Sequence, residues 1–372
     1  MKVLFISKSN LDSGYGTENS ILRQGLNLAK NHSLQIITSN RGNRNTDFIS
    51  RIRKQNGKVY EINILKRPPF YSPKGLIKLF FSIKEADVVY IWEPPTLLNP
   101  LIAAFSIMLR RKVVRGRHNP FFYEVDLSGK VPKYRRIIRM YEKMNLFFDM
   151  FYSYQHVQNS KQYDFLKKLG FRNVMRLPAC IDTKTYKMNE KYDNFSILFL
   201  GRLNFHKGAD RIPDIVEKIT KEIPGCTISI LGDGIFKNDL SKKLAKFGNV
   251  TMEGYVDNSQ KLERLSRSHV LVSPTRIEAF MLTGVEALAS GTPVVSFDVP
   301  GPSDYIENGV NGYICHSAEE CVQSVFKIHD KWLQGNYGSM AQSALDSSRK
   351  YDCEIITKEF ENLLAGVVKE KI

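Results

Sequence analysis

The segment from His269 to Phe297 constrains the fold most, because it reads as strand, loop, helix and strand: HVLVSPTRIEAFMLTGVEALASGTPVVSF. An apolar run predicts a first strand at Val270–Ser273 and a second at Val294–Phe297. Between them a helix is predicted from near Ala279 to Gly291, since glycine is favoured just after a helix end. A strand–helix–strand unit this short indicates a parallel α/β sheet.

Two carboxylates frame the predicted helix. Glu278 lies in the loop before it, and Glu286 follows after seven intervening residues, about two turns into the helix. The amides of the first turn, roughly 280–283, have no partners inside a helix and can bind an anion. A phosphate cradle between two hydroxyl-binding carboxylates suits a nucleotide sugar. On spacing alone the simpler alternative is favoured: a first-turn Glu stabilised by the helix dipole, and a solvent-facing Glu.

A second polar segment, GRLNFHKG, follows an apolar strand at Ser196–Leu200. Its spacing places Arg202 at the strand end and Lys207 just before a helix that starts near Ala209. Two cations at this position could neutralise a diphosphate. The alternative is a pair of solvated surface cations.

The first half of the chain repeats the α/β alternation, which predicts a doubly wound domain. Gly14 and Gly16 lie in the loop after the first strand, where glycine lets the backbone turn or approach a ligand. This Gly-x-Gly is a weak dinucleotide fingerprint, and a plain strand–helix turn also explains it. His118, in the segment RGRHNP, follows another predicted strand, although a single histidine is usually structural. The predicted strands of this half are Val3–Ile6, Leu34–Thr38, Val59–Ile62, Val88–Trp92 and Val113–Arg115.

Charge is distributed unevenly along the chain. Residues 1–190 hold 33 Lys and Arg against 14 Asp and Glu, whereas residues 191–372 hold 21 against 24. Such a basic half predicts an anionic partner: a membrane surface, a lipid-phosphate or lipopolysaccharide acceptor, or a nucleic acid. Phe70–Lys84 and Val131–Lys143 combine basic and apolar residues, as surface elements at a lipid headgroup layer do. Solvated helix faces are the alternative. Because no nucleic-acid recognition motif accompanies the charge, we expect no nucleic-acid partner.

The cysteines and the chain start indicate a reducing compartment. Five cysteines without a Cys-x-x-Cys pair predict free thiols, with neither a disulfide nor a zinc site. The initial MKVLFIS is too short for a signal peptide, and no apolar run is long enough to span a membrane. No Asp-x-Asp ends an apolar strand, so we expect that no metal ion is required. The expected location is cytoplasmic, peripheral at the inner face of the cell membrane.

Together these motifs resemble glycosyltransferase family 4. The similarity rests on Glu-x7-Glu before ALASGTPVVSFD, on Gly-Arg-Leu…Lys-Gly at 201–208, on Gly-Asp-Gly at 232–234 and on VPGPSDYIENGVNGYIC at 299–315. The family usually has glycine on one or both sides of the Phe after the first Glu, where Ala279 and Met281 stand here. The resemblance implies a GT-B fold: two Rossmann-like doubly wound α/β domains facing a cleft. We place an acceptor-binding domain at 1–188, a nucleotide-sugar domain at 189–350, and a final helix at 351–372 that crosses back to the first domain.

The resemblance also implies roles for individual residues. His118 would contact the transferred sugar, and Gly14 and Gly16 the phosphate or the acceptor. Arg202 and Lys207 would bind the diphosphate, Glu278 the sugar hydroxyls and Glu286 the ribose. The catalytic set is therefore Glu278, His118, Arg202 and Lys207, and the nucleotide-sugar site adds Gly14, Gly16, Phe280, Met281, Leu282 and Glu286.

The expected activity is that of a retaining, metal-independent hexosyltransferase without a cofactor. It would move a hexose or N-acetylhexosamine from a UDP-sugar to a lipid-linked, lipopolysaccharide or polysaccharide acceptor, with the basic first domain at the membrane. UDP-glucose and GDP-mannose remain open as donors. The alternative, left open by Ala279 and Met281, is a non-catalytic GT-B subunit that binds a partner or a glycan.

Overall fold

The alternation of strands and helices produces two parallel sheets, each in its own unit of the chain. A computed structural model describes residues 1–7, 16–38, 50, 52–55, 58–61, 73–92, 98–118 and 143–370. The first unit comprises Met1–Cys180 and Cys353–Ile372, and the second comprises Ile181–Asp352. The division falls before the predicted 188/189 boundary because residues just after Cys180 already bond within the second unit. The Ile181 amide donates to the Tyr351 carbonyl at 3.0 Å.

Among the described residues, the sheet of the first unit has seven strands in the order β3-β2-β1-β4-β5-β6-β7, all pairs parallel. Apart from the added β7, this is the doubly wound order. The sequence did not predict β6 or β7, because β6 reads YQHV and its polar Gln155 and His156 hide the apolar pattern. The strands are Lys2–Ile6 (β1), Ser33–Thr38 (β2), Lys58–Glu61 (β3), Val88–Ile91 (β4), Lys112–Arg117 (β5), Tyr154–Val157 (β6) and Val174–Arg176 (β7).

The sheet of the second unit has six parallel strands in the order β10-β9-β8-β11-β12-β13, which is the full doubly wound order. In this sheet Val272 of β11 lies opposite Val295 of β12. The strands are Ser196–Leu200 (β8), Thr227–Leu231 (β9), Val250–Gly254 (β10), Val270–Ser273 (β11), Val294–Phe297 (β12) and Gly312–Cys315 (β13).

Most helices connect successive strands, as parallel pairing requires. The last three, from Ala318 onward, follow the final strand β13. In the first unit the helices are Gly16–Asn31, Pro73–Glu85, Asn99–Met108, residues 143–149, Ser160–Lys168 and Cys353–Lys369. In the second they are Ile212–Glu222, Lys237–Leu244, Asn258–Arg267, Leu282–Ala289, Pro302–Tyr305, Ala318–Leu333 and Tyr337–Ser348.

Each sheet is covered by apolar helix faces. In the second unit Ile215, Val216 and Ile219 of one helix are fully buried against the strands. Complete burial of one such side chain contributes roughly 1.5–3 kcal/mol, so this helix stabilises the sheet together with Ala318–Leu333, whose Val325 and Ile328 are buried in the same cluster. In the first unit Phe360 of the last helix packs into the core beside Phe5 and Tyr90.

The cysteine prediction was wrong. Cys180 and Cys353 form a disulfide, with their Cα atoms 4.9 Å apart and both residues in the core of the first unit. They are the residues at which the chain leaves that unit and returns to it. Because they lie 173 positions apart, local cysteine spacing carries no trace of the pairing.

The structure describes most of the first basic segment and only one residue of the second. Phe70–Lys84 contains most of the helix Pro73–Glu85, which exposes Ile77 and Phe81 to solvent. Val131–Lys143 lies outside the described residues except for Lys143. Within the described part of the chain, no helix combines the length and apolarity needed to cross a membrane.

Candidate functional site

The strand order of the second unit fixes where a ligand site should form. β8 and β11 are neighbours, but the chain runs from β8 to β9 toward one edge of the sheet and from β11 to β12 toward the other edge. In doubly wound sheets such a switch point opens a crevice at the carboxyl ends of the strands. The two segments there are residues 201–208 after β8 and residues 274–281 after β11.

Lys207 and Glu278 join these two segments. The Lys207 ammonium donates a hydrogen bond to Glu278 Oε1, and the pair is an ion pair between residues 71 positions apart. The Thr275 hydroxyl donates to the same oxygen at 3.3 Å. Glu278 is buried, whereas 30% of the Lys207 side chain remains exposed. The pair therefore brings both predicted motifs into one site with a solvent-accessible cation.

Arg276 fixes the two segments against each other. Its guanidinium binds both carboxylate oxygens of Asp210, at 2.6 and 2.8 Å, and lies 4.0 Å from the Phe205 ring centroid. Its backbone amide donates to the His206 carbonyl at 2.9 Å. Paired hydrogen bonds of this kind are directional, so they restrict how the loops can move.

The site is electropositive. Arg202 is exposed at the end of β8, and the adjacent loop adds Lys207 and Arg276. Burial lowers the pKa of His206, and the charges of Arg202, Lys207 and Arg276 lower it further. Lys207 and Arg276 are each paired with one carboxylate, Glu278 and Asp210, so the three cations exceed these two carboxylates by one positive charge. Such an excess favours an anionic ligand.

The helix after Glu278 starts three residues later than predicted, at Leu282 instead of Ala279. Met281 caps it in the left-handed conformation, with φ 59°, and accepts a hydrogen bond from the Gly284 amide. The amides of Leu282 and Thr283 therefore remain in the first turn without a partner inside the helix, as groups that could bind an anion. Methionine here adopts the conformation that glycine adopts readily, at a cost of roughly 1–2 kcal/mol.

The other two predicted backbone contacts, Phe280 and Met281, are buried. Phe280 packs against Tyr305, with ring centroids 5.7 Å apart and the rings tilted by 58°. The Tyr305 hydroxyl donates to the Met281 carbonyl at 3.1 Å. A side chain at Gly301 would come within 2.6 Å of Phe280 Cα. These contacts hold the backbone of the helix start in place.

Glu286 is a buried residue about one turn into the helix, not a solvent-facing one. Tyr186 donates to one carboxylate oxygen at 2.8 Å, and the Lys261 ammonium contacts the other at 3.1 Å. A carboxylate has about four acceptor positions, so two contacts leave capacity for two further hydroxyls. Tyr186 and Lys261 went unrecognised in the sequence, because both are distant in the chain and neither lies in a motif.

The remaining predicted residues belong to the first unit. Gly14 lies outside the described residues, and Gly16 is the first residue of the helix Gly16–Asn31. His118 is buried directly after β5, where its ring stacks on Trp92 with centroids 4.0 Å apart. Its Nε2 lies 2.8 Å from the Tyr90 hydroxyl.

A metal centre would need several ligands in one place. Among the residues that the structure describes, no group of three or more His, Cys, Asp or Glu side chains is arranged to hold a metal ion.

Residues 182–338 match the family Glycosyl transferases group 1. The matched residues contain the whole Lys207–Glu278 site and the Glu286 cluster.

Two curated relatives extend the comparison. The poly(ribitol-phosphate) alpha-N-acetylglucosaminyltransferase of Staphylococcus aureus is 26% identical over 68% of this chain and 50% of its own length. The GtfA subunit of a UDP-N-acetylglucosamine–peptide N-acetylglucosaminyltransferase of Streptococcus pneumoniae is 32% identical over 47% of this chain and 36% of its own. The chain thus spans half or less of the length of these relatives.

Among solved structures, the Anabaena protein Alr3699/HepE in complex with UDP is similar over 98% of this chain and 100% of its own, with a TM-score of 0.80 and 17% identity. The fold is therefore GT-B, as predicted.

Proposed function

We propose that the protein is a glycosyltransferase that moves a hexose or an N-acetylhexosamine from a nucleotide sugar to a saccharide acceptor. The observation that carries the proposal is the contact between Lys207 and Glu278 beside the start of a helix. A diphosphate is stabilised by a cation together with helix amides, here those of Leu282 and Thr283. A carboxylate beside it suits sugar hydroxyls, which donate hydrogen bonds.

A UDP-sugar is the proposed donor. HepE was solved with UDP, and the names of both bacterial relatives specify N-acetylglucosaminyl transfer. UDP-N-acetylglucosamine is accordingly the first donor to test, with UDP-glucose and GDP-mannose as competitors.

In the proposed reaction, the bond between the anomeric carbon and the diphosphate oxygen breaks while the acceptor hydroxyl bonds to that carbon. The hydroxyl proton passes to a departing phosphate oxygen, on the same face of the sugar, so the anomeric configuration is retained. Arg202 and Lys207 stabilise the negative charge that develops on the diphosphate. Lys207 has three N–H donors, so it can bind phosphate while still contacting Glu278. In this scheme the cations replace a divalent metal ion.

Glu286 would hold the ribose. Tyr186 and Lys261 each occupy one of its oxygens, which orients the buried carboxylate. The ribose hydroxyls would then use the remaining acceptor capacity.

The proposed acceptor is a lipid-linked saccharide, a lipopolysaccharide or a polysaccharide at a membrane surface. Lys74, Ile77, Lys78 and Phe81 are exposed at positions that share one face of the helix Pro73–Glu85. Basic and apolar residues on one face are typical of helices that lie at lipid headgroups. Binding to vesicles with anionic lipid, weakened by Phe81→Ser and by salt, would support this location.

Thermal unfolding with a panel of nucleotides tests the donor class. A ligand that binds only the folded protein raises the melting temperature, so UDP and one UDP-sugar should give the largest shifts. Glu278→Gln should then lower transfer about 100-fold while changing UDP affinity little, because misplacement of the sugar affects the reacting geometry. Glu319→Gln is the matched control, since Glu319 pairs with Lys218 on the surface.

A non-catalytic GT-B subunit is the second candidate, favoured by the methionine at the left-handed position 281. Nucleotide binding without transfer or hydrolysis of any nucleotide sugar in the panel would support the non-catalytic subunit.

A further inference from the structure

A buried chain of polar side chains in the first unit connects His118 to the protein backbone. The His118 Nε2 lies 2.8 Å from the Tyr90 hydroxyl, which lies 2.5 Å from His156 Nδ1. The His156 Nε2 lies 2.8 Å from the Leu177 carbonyl. All three side chains are buried, at the carboxyl ends of β4, β5 and β6.

The direction of every hydrogen bond in this chain follows from its last member. A carbonyl oxygen can only accept, so His156 must carry its proton on Nε2. In a neutral imidazole Nδ1 is then an acceptor, and the Tyr90 hydroxyl donates to it. The Tyr90 oxygen in turn accepts from His118 Nε2. The Nδ1 atom of His118 is left without a proton.

These hydrogen-bond directions hold when both imidazoles are neutral, which burial favours. Burial lowers the pKa of His156 to about 4. Burial also lowers the pKa of His118 well below its usual value, and the neighbouring His156 and Arg115 lower it further.

Gly116 provides the space that this series of hydrogen-bonded side chains needs. A side chain at Gly116 would come within 2.6 Å of His118 Nε2 and closer still to the Tyr90 hydroxyl. Glycine at position 116 therefore leaves room for the hydrogen bond between Tyr90 and His118. The His118 Nδ1 is itself buried, and no residue in the described part of the chain bonds to it.

We propose that Tyr90 and His156 are positioning residues that fix the tautomer of His118, so that its Nδ1 accepts a hydrogen bond from a hydroxyl of the bound saccharide. An unprotonated nitrogen has no proton to offer a phosphate or a carboxylate, so this position selects a neutral hydroxyl. The identity of the hydroxyl-bearing ligand rests on the proposed function, whereas the tautomer of His118 rests on the hydrogen bonds among His118, Tyr90 and His156.

Nitrogen NMR of the intact protein labelled with ¹⁵N-histidine measures the tautomer directly at neutral pH. His118→Gln and His156→Gln assign the two signals. We expect both residues to carry the proton on Nε2. A His118 that is protonated on Nδ1, or on both nitrogens, would overturn the proposal without affecting the assignment of the nucleotide site.

Variants separate positioning from a purely structural role. Tyr90→Phe removes the acceptor for His118 Nε2, so we expect mixed His118 tautomers and a three- to tenfold loss of transfer, the effect of about one hydrogen bond. UDP affinity should stay unchanged. Tyr152→Phe is the matched control, because it removes another buried hydroxyl of this unit, bonded to the Asn99 carbonyl.

His156 offers a rescue experiment. The glutamine side chain has an NH2 group that donates and a carbonyl oxygen that accepts, so it can maintain the hydrogen-bond directions, whereas methionine cannot. His156→Gln should keep the His118 tautomer and most of the transfer, and His156→Met should lose both. Equal behaviour of these two variants, or a wild-type tautomer in Tyr90→Phe, would contradict the positioning role.

Discussion

Gly208 lies where the two loops of the proposed diphosphate site touch, and replacing it with alanine is a sharp test of that contact. Gly208 has φ 70°, and an added Cβ would come within 2.6 Å of the Pro274 carbonyl carbon and closer to its oxygen. Ordinary contacts of this type exceed 3 Å, so the segment that carries Arg276 and Glu278 would have to shift.

Two costs should add in this variant. The left-handed conformation costs alanine roughly 1–2 kcal/mol. The overlap with Pro274 should cost about 1–3 kcal/mol more, as overpacking of a rigid contact does. Gly225→Ala isolates the first cost, because Gly225 has φ 85° and open space around its Cβ position.

Chemical denaturation and UDP titration of both variants measure the two effects. Gly225→Ala should lower the free energy of unfolding by the conformational cost alone and leave UDP binding unchanged. Gly208→Ala should lose about twice as much stability and bind UDP at least tenfold more weakly. If the two variants behave alike in both assays, the proposed packing of residue 208 against Pro274 is wrong.

Three further predictions concern other buried groups. Lys261→Met should weaken UDP binding and lower the free energy of unfolding by about 1–3 kcal/mol, because Glu286 loses its cation in a buried site. Burial lowers the pKa of Lys191 to about 7. An unfolded lysine titrates near 10.4, so between these pH values the unfolded state binds more protons and stability should rise with pH, by at most about 5 kcal/mol. Lys191→Met should remove that rise. Alkylation of the denatured, unreduced protein should label three of the five cysteines, because Cys180 and Cys353 are bonded.

Each of these predictions has a control. Lys242→Met replaces an exposed lysine and should keep both UDP binding and the pH dependence. A pH profile of Lys191→Met that matches the wild type would contradict the assignment to Lys191. Five labelled cysteines would refute the disulfide, and unchanged UDP affinity in Lys261→Met would argue against its support of Glu286.

Strands made of one apolar run were predictable from the sequence. Ser196–Leu200, Val270–Ser273 and Val294–Phe297 begin and end where the pattern placed them. Strands with buried polar residues could not be predicted in this way. The residues that form hydrogen bonds with Gln155 and His156 lie outside the strand segment.

The environment of the site residues depends on contacts that a sequence does not display. Glu278 could be placed before a helix, but its pairing with Lys207 spans 71 positions. One partner of Glu286, Tyr186, is 100 positions away. The helix start was misplaced because Met281 takes a left-handed conformation, which Tyr305 supports through the Met281 carbonyl.

Calorimetric titration with UDP and with UMP tests the central claim most directly, since the two ligands differ by the phosphate that the site should bind. We expect UDP to bind at least tenfold more tightly than UMP, and the difference to disappear when Arg202 and Lys207 are both replaced by alanine. Equal affinities for UDP and UMP in the wild type, with the same result for GDP against GMP, would contradict a diphosphate site between these loops.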